Sequence, residues 1–532
     1  MSLKVAVSGK AAEAVAANIE QLVADKVASR IAAKDFTLWG KDAEAESSIR
    51  LGWVNSATDS APLVAGILAL RDEFAAKGVN RFVLCGMGGS SLAPEVITLT
   101  AGVELVVLDS TDADQVGAAL AGDLARTAIV VSSKSGSTVE TDSQKRVFEK
   151  AFTDAGIDKA DRVVIVTDPG SPMEAAAKAD GYRIFNADPT VGGRYSALTA
   201  FGLVPSGLAG ADIAGLLAEA QAVSALLASD DASNPGLILG AALARTANGA
   251  GFADKVGIVT DGTSIVGFGD WAEQLIAEST GKIGRGVLPV VLEPNSPELA
   301  VAAGDIVVAR LVADAASASG NEVATSGPLG AQFLLWEFAT VVASRLLGIN
   351  PFDQPDVESA KVAARGMLEQ RAAVIPAIFE ADGIEVRATE LNVDGASSVA
   401  AAIDALLAQL GEDGYVSVQA YLDRTSVPQA AELRDLIAAR TSRPVTFGWA
   451  PRFLHSTGQY HKGGPRQGVY LQLVSVAKND IAVPGRDFTF GELIASQAAG
   501  DASVLGALPR PVLTLTLGDV ANDVAALRAI LA

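Results

Sequence analysis

Apolar runs of six or seven residues recur between longer amphipathic segments from about residue 80 to residue 190. The runs are rich in Val, Ile and Leu, and they read RFVLCG, VELVVLD, TAIVVSS, RVVIVTD and YRIFNA. Strands this apolar, separated by helical segments, are typical of a parallel sheet that helices cover on both faces. This stretch therefore predicts a doubly wound α/β unit.

A second series of the same kind follows, and a third region shares its pattern. KVGIVTD, GVLPVVL and DIVVARL are predicted strands of the second series, and AQFLLWEFATVVASRLLG is a long, largely buried helix. In the third region, GIEVRA, GYVSVQAYL, PVTFGW, GVYLQLV and PVLTLTLG alternate with alanine-rich helices. The chain is thus predicted to be α/β, with two doubly wound parallel-sheet domains in tandem and a C-terminal α/β domain. The predicted segments are 1–55, helical and packing on the first domain; 56–235, the first domain; 236–378, the second domain; and 379–532, the C-terminal domain.

The segment WAEQLIAESTGK places a carboxylate on the apolar face of a predicted helix. Trp271, Leu275 and Glu278 share one face of this helix at about 100° per residue. Gln274 lies beside them, whereas Glu273 points the other way. A carboxylate that faces inward is costly unless it is paired or has a chemical task. Glu278 is therefore a candidate functional residue.

The stretch VVSSKSGSTVET ends a predicted strand and begins a helix. Its polar residues include Ser133, Lys134, Ser135, Ser137 and Thr138. Hydroxyls, orphan backbone N–H groups and the positive end of a helix dipole are what a phosphate monoester needs. We interpret the stretch as a phosphate loop, and the alternative is an ordinary serine-rich loop with a helix N-cap.

The stretch LCGMGGSSLAP has the same strand, turn and helix pattern, with Gly86, Gly88 and Gly89 before Ser90. It lacks the Gly-Lys-Ser/Thr end of a Walker A loop and the third glycine of a dinucleotide fingerprint, so nucleotide binding is a weak inference. The glycines indicate close approach of the backbone to a ligand. Further along, VGGRYS presents Arg194, whose charge could pair with a carboxylate or steady an oxyanion. A surface arginine is the alternative.

Composition narrows the classes of function. Of the 532 residues, 49% are hydrophobic and 19% are charged, and the formal net charge is −21. Such an acidic chain argues against a nucleic-acid partner, because phosphate backbones are bound by basic surfaces. The chain has no uninterrupted apolar run of about 18 residues that would predict a membrane span. The N-terminal segment carries charges where a secretion signal would have an apolar run, so a cytoplasmic protein is expected. The single cysteine excludes an internal disulfide.

Together these motifs resemble those of the glucose-6-phosphate isomerases, which are built from two sugar-isomerase (SIS-type) domains. The matching stretches lie in family order between about residues 80 and 365: GMGGSSLAP, SSKSGSTVET, VGGRYSALTAFGL, EQLIAESTGK and INPFDQPDVESAK. The resemblance implies that Ser133, Ser135 and Thr138 hold the sugar phosphate, with Lys134 and Ser90 nearby. The family motif usually carries threonines and a bulkier residue at positions 135–137, a change that keeps the hydroxyl function.

The resemblance also assigns the chemistry. Glu278 would be the base that moves a proton between carbons 2 and 1 of the sugar, and Arg194 would stabilise the enediolate between them. Gln354 and Lys361 match family residues at the ring end of the sugar. The isomerisation needs neither a metal nor another cofactor.

The histidines depart from the family pattern. The usual ring-opening histidine lies in a His-Gln-Gly-Thr motif of the partner subunit, and no histidine lies between Glu278 and Lys361. The two histidines of the chain, His455 and His461, both lie in RFLHSTGQYHKGGP. This stretch and FTFGELIASQAAGD resemble the isomerase part of bacterial transaldolase–glucose-6-phosphate isomerase fusions. At least one of the two histidines is expected to replace the missing residue, in the same or the neighbouring subunit, and two histidines alone are too few ligands to predict zinc.

The resemblance implies an aldose–ketose isomerase of glycolysis and gluconeogenesis that interconverts glucose 6-phosphate and fructose 6-phosphate through a cis-enediol. Two alternatives stay open, a broader isomerase that also accepts mannose 6-phosphate and a sugar-phosphate sensor without turnover. Because the family commonly shares its sites across a dimer, a homodimer is expected. The isomerase pattern leaves no space for a transaldolase barrel, and cooperation with a separately encoded transaldolase stays open.

Overall fold

The computed structural model describes residues 2–244, 254–300, 305–356, 362–363, 365–368 and 375–532. The strands are β1 (Lys4–Val7), β2 (Arg81–Gly86), β3 (Val106–Leu108), β4 (Thr127–Ser132), β5 (Val163–Thr167), β6 (Arg183–Asn186), β7 (Lys255–Asp261), β8 (Leu288–Leu292), β9 (Ile306–Val312), β10 (Glu322–Ser326), β11 (Phe379–Ala381), β12 (Ile384–Thr389), β13 (Tyr415–Tyr421), β14 (Val445–Trp449), β15 (Gly468–Ser475) and β16 (Val512–Leu517). The helices are α1 (Gly9–Ala24), α2 (Val27–Ala32), α3 (Glu44–Arg50), α4 (Ser56–Asp59), α5 (Leu63–Ala76), α6 (Leu92–Ala101), α7 (Ala113–Leu120), α8 (Val139–Asp154), α9 (Pro172–Asp180), α10 (Ala200–Ala209), α11 (Ile213–Leu227), α12 (Pro235–Ala244), α13 (Phe268–Thr280), α14 (Pro297–Ala300), α15 (Leu329–Leu347), α16 (Val399–Leu407), α17 (Leu433–Thr441), α18 (Gly458–Gly463), α19 (Phe490–Ala507) and α20 (Val520–Leu531).

The first sheet is parallel and has the strand order β3-β2-β4-β5-β6. Successive side chains of a strand point to opposite faces, and both faces are buried here. Ala128 and Val130 of β4 lie in one apolar core with α6 and α10, whereas Ile129 and Val131 lie in another with α7 and α8. The predicted doubly wound unit is confirmed.

The second sheet has the order β1-β10-β9-β7-β8 and is parallel except for β1. The prediction that the N-terminal segment is helical and packs on the first domain was wrong for its beginning. Lys4–Val7 is a strand that pairs with the edge strand β10, which supplies partners for otherwise open backbone groups. The Trp39 Nε1–H donates to the Val341 carbonyl of α15 at 2.9 Å. Contact with the unit of the first sheet comes later, where Leu51 forms a bridge to Val191.

The third sheet has the order β11-β12-β16-β15-β13-β14, in which β16, β15, β13 and β14 are parallel. Its strands share an apolar core with α16, α17 and α20. The loop after β14 and α18 leave this unit and pack against α13 and the turn after β2. The C-terminal unit therefore reaches the edge where the loops of the first sheet converge. Within the described ranges, no helix is long and apolar enough to cross a bilayer.

Candidate active site

A cavity of about 430 Å³ opens where the loops after β2 and β4 meet α13 and the loop after β14. Loops that follow parallel strands converge at one edge of the sheet, where ligands of open α/β sheets bind. Residues singled out from the sequence line this cavity together: Gly89, Ser90, Ser133, Lys134, Ser135, Thr138, Arg194, Glu278, Gln354 and His455.

One wall of the cavity is the serine-rich turn that leads into α8. The Ser133 hydroxyl accepts a hydrogen bond from the Gly136 N–H at 3.1 Å and lies 3.2 Å from the Thr138 hydroxyl. Thr138 is the N-cap residue of α8, a helix of 16 residues. Ser137 is exposed and holds the Ser135 hydroxyl at 3.0 Å, and it does not line the cavity. The wall thus combines hydroxyls with the positive end of a helix dipole.

Lys134 supplies a positive charge at the same wall. Its ammonium donates to the Asp168 carboxylate at 2.6 Å. Burial lowers the pKa of Lys134 and raises the pKa of Asp168. Asp168 and Arg50 also line the cavity and were not predicted. The sequence offered a reason to consider Asp168, because this residue ends the predicted strand RVVIVTD. Arg50 lies in α3 and belongs to no motif.

Glu278 and Arg194 form a buried ion pair in the lining of the same cavity. Their side chains are 7% and 3% exposed, and the Arg194 Nε lies 3.1 Å from the Glu278 Oε2. The Arg194 guanidinium also donates to the Asp353 carbonyl at 3.3 Å and to the Gln354 side-chain oxygen. An arginine held in this way keeps a fixed positive charge beside the carboxylate.

Lys282 stabilises the segment 350–354, which binds the Arg194 guanidinium. Its ammonium donates to the Asn350 carbonyl at 2.8 Å and to the Asp353 carboxylate at 2.7 Å. Burial, reinforced by the charge of Arg194, lowers the pKa of Lys282 to about 8. The ammonium form therefore predominates at neutral pH.

His455 reaches the cavity from the loop after β14 of the same chain. Its Nε2 lies 3.0 Å from the Oε1 of Glu140, in the first turn of α8. The same carboxylate oxygen accepts from the Gln497 amide at 2.8 Å, and the Gln274 amide donates to the His455 carbonyl at 2.7 Å. Glu140 was not predicted, although it stands two residues after the phosphate loop in TVETD.

His461 lies elsewhere. It is 1% exposed, its ring is enclosed by Tyr415, Phe453 and Tyr470, and it does not line the cavity. Burial lowers the pKa of His461 well below its ordinary value. The structure thus brings His455 into the cavity and leaves His461 in the core. Lys361 lies outside the described residues.

Gly88 and Gly89, which follow β2, line the cavity. Neighbouring segments of the chain leave no room for a larger side chain at these two positions. A Cβ on Gly89 would lie 2.0 Å from the Gly193 carbonyl oxygen. Gly88 has a φ of +53°, and a Cβ there would lie 2.7 Å from the His455 carbonyl oxygen. The structure thus shows close approach between three segments of backbone around the site, and the approach of the backbone to a ligand stays a prediction.

The side chains of this cavity are arranged so that they can perform acid–base chemistry on an anionic substrate. A carboxylate paired with a guanidinium shares the cavity with a turn suited to an anion and with an imidazole held by a second carboxylate. In the part of the chain that the structure describes, no three His, Cys, Asp or Glu side chains are grouped to hold a metal ion.

The fold and the cavity define an α/β protein that carries a candidate active site at the loop edge of its first parallel sheet. Residues 71–284 match the phosphoglucose isomerase family. A probable glucose-6-phosphate isomerase from Haloarcula marismortui is 38% identical over 211 residues, which cover 39% of this chain and 48% of the relative. The chain thus spans about half the length of that relative. A glucose-6-phosphate isomerase from Synechococcus elongatus is 29% identical over 57% of this chain and 69% of the relative.

Two solved structures share the fold. A hypothetical protein from Thermus thermophilus superposes with a TM-score of 0.58 at 24% identity, over 69% of this chain and 100% of that one. A glucose-6-phosphate isomerase from Chlamydia trachomatis superposes with a TM-score of 0.50 at 20% identity, over 63% of this chain and 75% of that one. At these identities the likeness concerns the fold.

Proposed function

We propose that this protein interconverts glucose 6-phosphate and fructose 6-phosphate through a cis-enediol intermediate. The observation that carries the proposal is the buried Glu278–Arg194 pair in one cavity with the serine-rich end of α8. The turn suits the phosphate, which leaves carbons 1 and 2 of the open-chain sugar to the carboxylate and the guanidinium. The names of the Haloarcula and Synechococcus relatives support this assignment.

Proton transfer follows from this placement. In the direction of fructose 6-phosphate, Glu278 takes the proton from carbon 2, and the freed electron pair forms the bond between carbons 1 and 2. The carbonyl oxygen on carbon 1 gains negative charge, which the Arg194 guanidinium stabilises. A proton passes from the oxygen on carbon 2 to the oxygen on carbon 1, and Glu278 returns its proton to carbon 1. No net charge or electron leaves the substrate.

Ring opening is assigned to His455. An imidazole in the cavity can donate a proton to the ring oxygen as the ring bond breaks, and the Glu140 carboxylate at 3.0 Å fixes its orientation. Glu140, Glu278 and His455 come from one chain. The proposed machinery is therefore complete within one subunit, apart from any role of Lys361.

The reaction is tested by following conversion of fructose 6-phosphate with a coupled glucose-6-phosphate dehydrogenase. Glu278→Gln should lower kcat by about 10²- to 10⁴-fold with little change in substrate binding, because the amide keeps the shape and cannot take the proton. Glu20→Gln, on the exposed face of α1, is the control and should retain full activity. Binding of the phosphosugar without turnover in the wild type would favour a sensor, and turnover of mannose 6-phosphate in a parallel assay would favour the broader isomerase.

The assembly is inferred from the resemblance to the family, and the location is an expectation from the sequence. We expect a homodimer in the cytoplasm, with cooperation from a separately encoded transaldolase as an open prediction. Light scattering at several protein concentrations measures the mass. Because the named groups lie on one chain, activity per subunit should not fall where a dimer dissociates.

A further inference from the structure

A second cavity lies between α13 and the C-terminal unit, on the face of the helix that points away from Glu278. Its volume is about 310 Å³. Asp270 and Glu273 of α13, Glu293 after β8, and Phe447 and Trp449 of β14 contribute to its lining. Such a volume holds about ten water molecules or one small organic molecule. The proposed isomerase reaction does not use this cavity.

Glu273 is the unusual group in this lining. It is 8% exposed, and among the described residues its carboxyl group makes no hydrogen bond or ion pair. Buried carboxyl groups without a partner are rare because they lose hydration and gain nothing in return. A partner absent from the chain itself would remove this cost.

The guanidinium groups of the lining are already engaged. Arg434 donates to the Ser296 hydroxyl at 3.0 Å and to the Val445 carbonyl at 3.1 Å, and it pairs with Glu298 and Asp435. Arg452 is held by carboxylates in the same way. Among the described lining residues, five carboxyl groups stand against these two guanidinium groups. The cavity therefore favours a positively charged occupant.

Aromatic side chains form another wall of this cavity. Phe447 and Trp449 are two residues apart on β14, so they project from the same face of the strand. Their rings pack edge to face with centroids 4.9 Å apart, and both side chains are partly exposed. An indole face beside carboxylates attracts an organic cation, because the ring quadrupole is negative on its face.

We propose that this cavity binds a small organic ammonium ion, with Glu273 as its ionic partner and Trp449 as its aromatic wall. A bare metal ion fits less well, because in the described ranges no three metal-ligating side chains are grouped. The apolar wall of Phe447 and Val291 matches an alkyl chain that carries the ammonium group.

Protonation links binding to pH. Burial raises the pKa of Glu273 well above its ordinary value, and the charge of Asp270 adds to the effect. The charge of Arg452 opposes this shift. The raised pKa favours the neutral carboxyl group in the empty cavity, whereas an arriving ammonium ion favours the carboxylate and so promotes release of a proton. Affinity should therefore increase with pH while the amine stays charged. The charged groups that face Glu273 from the surrounding elements are Asp270, Glu293, Glu432, Arg434, Asp435 and Arg452.

Isothermal titration calorimetry with 1,4-diaminobutane tests the proposal, with 1,4-butanediol as an uncharged probe of the same length. The wild type should bind the diamine at one site with proton release, detected by comparing two buffers of different ionisation enthalpy, and should not bind the diol. Glu273→Gln should weaken binding at least tenfold, and Trp449→Leu about fivefold, as expected for loss of a cation–π contact. Glu20→Gln, outside the cavity, should bind as the wild type does.

The Gln variant should fold, because it replaces the carboxyl group by an amide of the same shape, and its circular dichroism spectrum checks this. Equal binding of diamine and diol would overturn the proposal. So would diamine binding that Glu273→Gln leaves unchanged, or the absence of saturable binding to the wild type at millimolar concentrations.

Discussion

Glu278 and Glu273 lie five residues apart on α13, and their neighbours give them different chemistry. The guanidinium of Arg194 lies 3.1 Å from the Glu278 carboxylate and pairs with it. Glu273 faces a cavity whose cations are occupied, and burial raises its pKa. Helical periodicity predicted that the two carboxylates point in different directions. It could not predict that Glu273 is also buried, because the surface that covers it belongs to a distant part of the chain.

Ring opening by His455 can be separated from isomerisation. In a Glu278→Gln background, which should stop proton transfer at carbon 2, the protein should still accelerate exchange between the α and β anomers of glucose 6-phosphate. Adding His455→Ala should reduce this exchange to the spontaneous rate, because the ring oxygen loses its proton donor. Two-dimensional exchange NMR measures the rate directly.

His461→Ala provides the comparison, since His461 lies outside the cavity. In the same background, its anomer exchange should match that of the Glu278→Gln protein. If His461→Ala abolished exchange in a folded protein and His455→Ala did not, the assignment of His455 would be wrong.

Lys282 predicts a pH dependence of substrate affinity. Its pKa of about 8 means that the ammonium loses its proton as pH rises through this value. The charge-assisted hydrogen bonds to Asn350 and Asp353 then weaken. The segment that ends at Gln354 is therefore held less firmly in place. The KM for fructose 6-phosphate should rise by up to about tenfold between neutral and moderately alkaline pH, equivalent to about 1.4 kcal/mol. The substrate phosphate is already dianionic above about pH 7, so a KM that stays flat would contradict the role given to Lys282.

At the scale of elements, periodicity and composition were sufficient for most strands. RFVLCG and KVGIVTD coincide with β2 and β7, and AQFLLWEFATVVASRLLG falls within one residue or two of α15. The short strands β1, β10 and β11 were missed, because none has the consecutive Val, Ile or Leu residues by which β3, equally short, was recognised. The turns were recognised as ligand loops, but the reason for their glycines was visible only once the segments were packed.

Gly89→Ala tests that packing. The added Cβ would meet the Gly193 carbonyl oxygen at 2.0 Å, so one of the two backbone segments must shift. The free energy of unfolding should fall by about 1–3 kcal/mol, as for other overpacked sites. Urea denaturation followed by fluorescence measures the change.

Gly66→Ala in α5 is a matched control, because its Cβ would meet only Phe185 at 3.8 Å. This variant should be neutral or more stable by up to about 1 kcal/mol, since alanine suits a helix interior better than glycine. A Gly89→Ala protein as stable as Gly66→Ala would show that the turn after β2 is looser than described.

At the scale of the whole molecule, Arg452 joins three units of the fold. Its guanidinium donates to Asp109 after β3 at 2.7 Å and to Asp270 of α13 at 3.2 Å, and it also pairs with Glu95 of α6. Arg452 lies three residues before His455, so this network positions the histidine in the cavity. The sequence shows these charged residues, but their contacts could not be predicted from it, because residues so far apart along the chain give no periodic signal.

Arg452→Met should therefore affect both stability and catalysis. Among the described residues, removing the cation leaves the buried Asp109 with Arg424, at 3.7 Å, as its remaining cation, which should cost up to about 3–5 kcal/mol of unfolding free energy. Anomer exchange should fall with it as His455 loses its position. Arg183→Met, which removes a surface pair with Glu73 whose side chains are 53% and 38% exposed, should cost less than about 1 kcal/mol. Equal effects of the two substitutions would contradict the positioning role.

The most direct test of the account is to convert fructose 6-phosphate in D₂O and to analyse carbon 2 of the glucose 6-phosphate by NMR. If Glu278 carries the proton between the two carbons, deuterium from the solvent should appear at carbon 2, since a protonated carboxylate exchanges with water. In Glu278→Gln, both turnover and deuterium incorporation should fall by about 10²- to 10⁴-fold. Formation of glucose 6-phosphate with only protium at carbon 2, at a rate that Glu278→Gln leaves unchanged, would indicate direct hydride transfer and contradict the account.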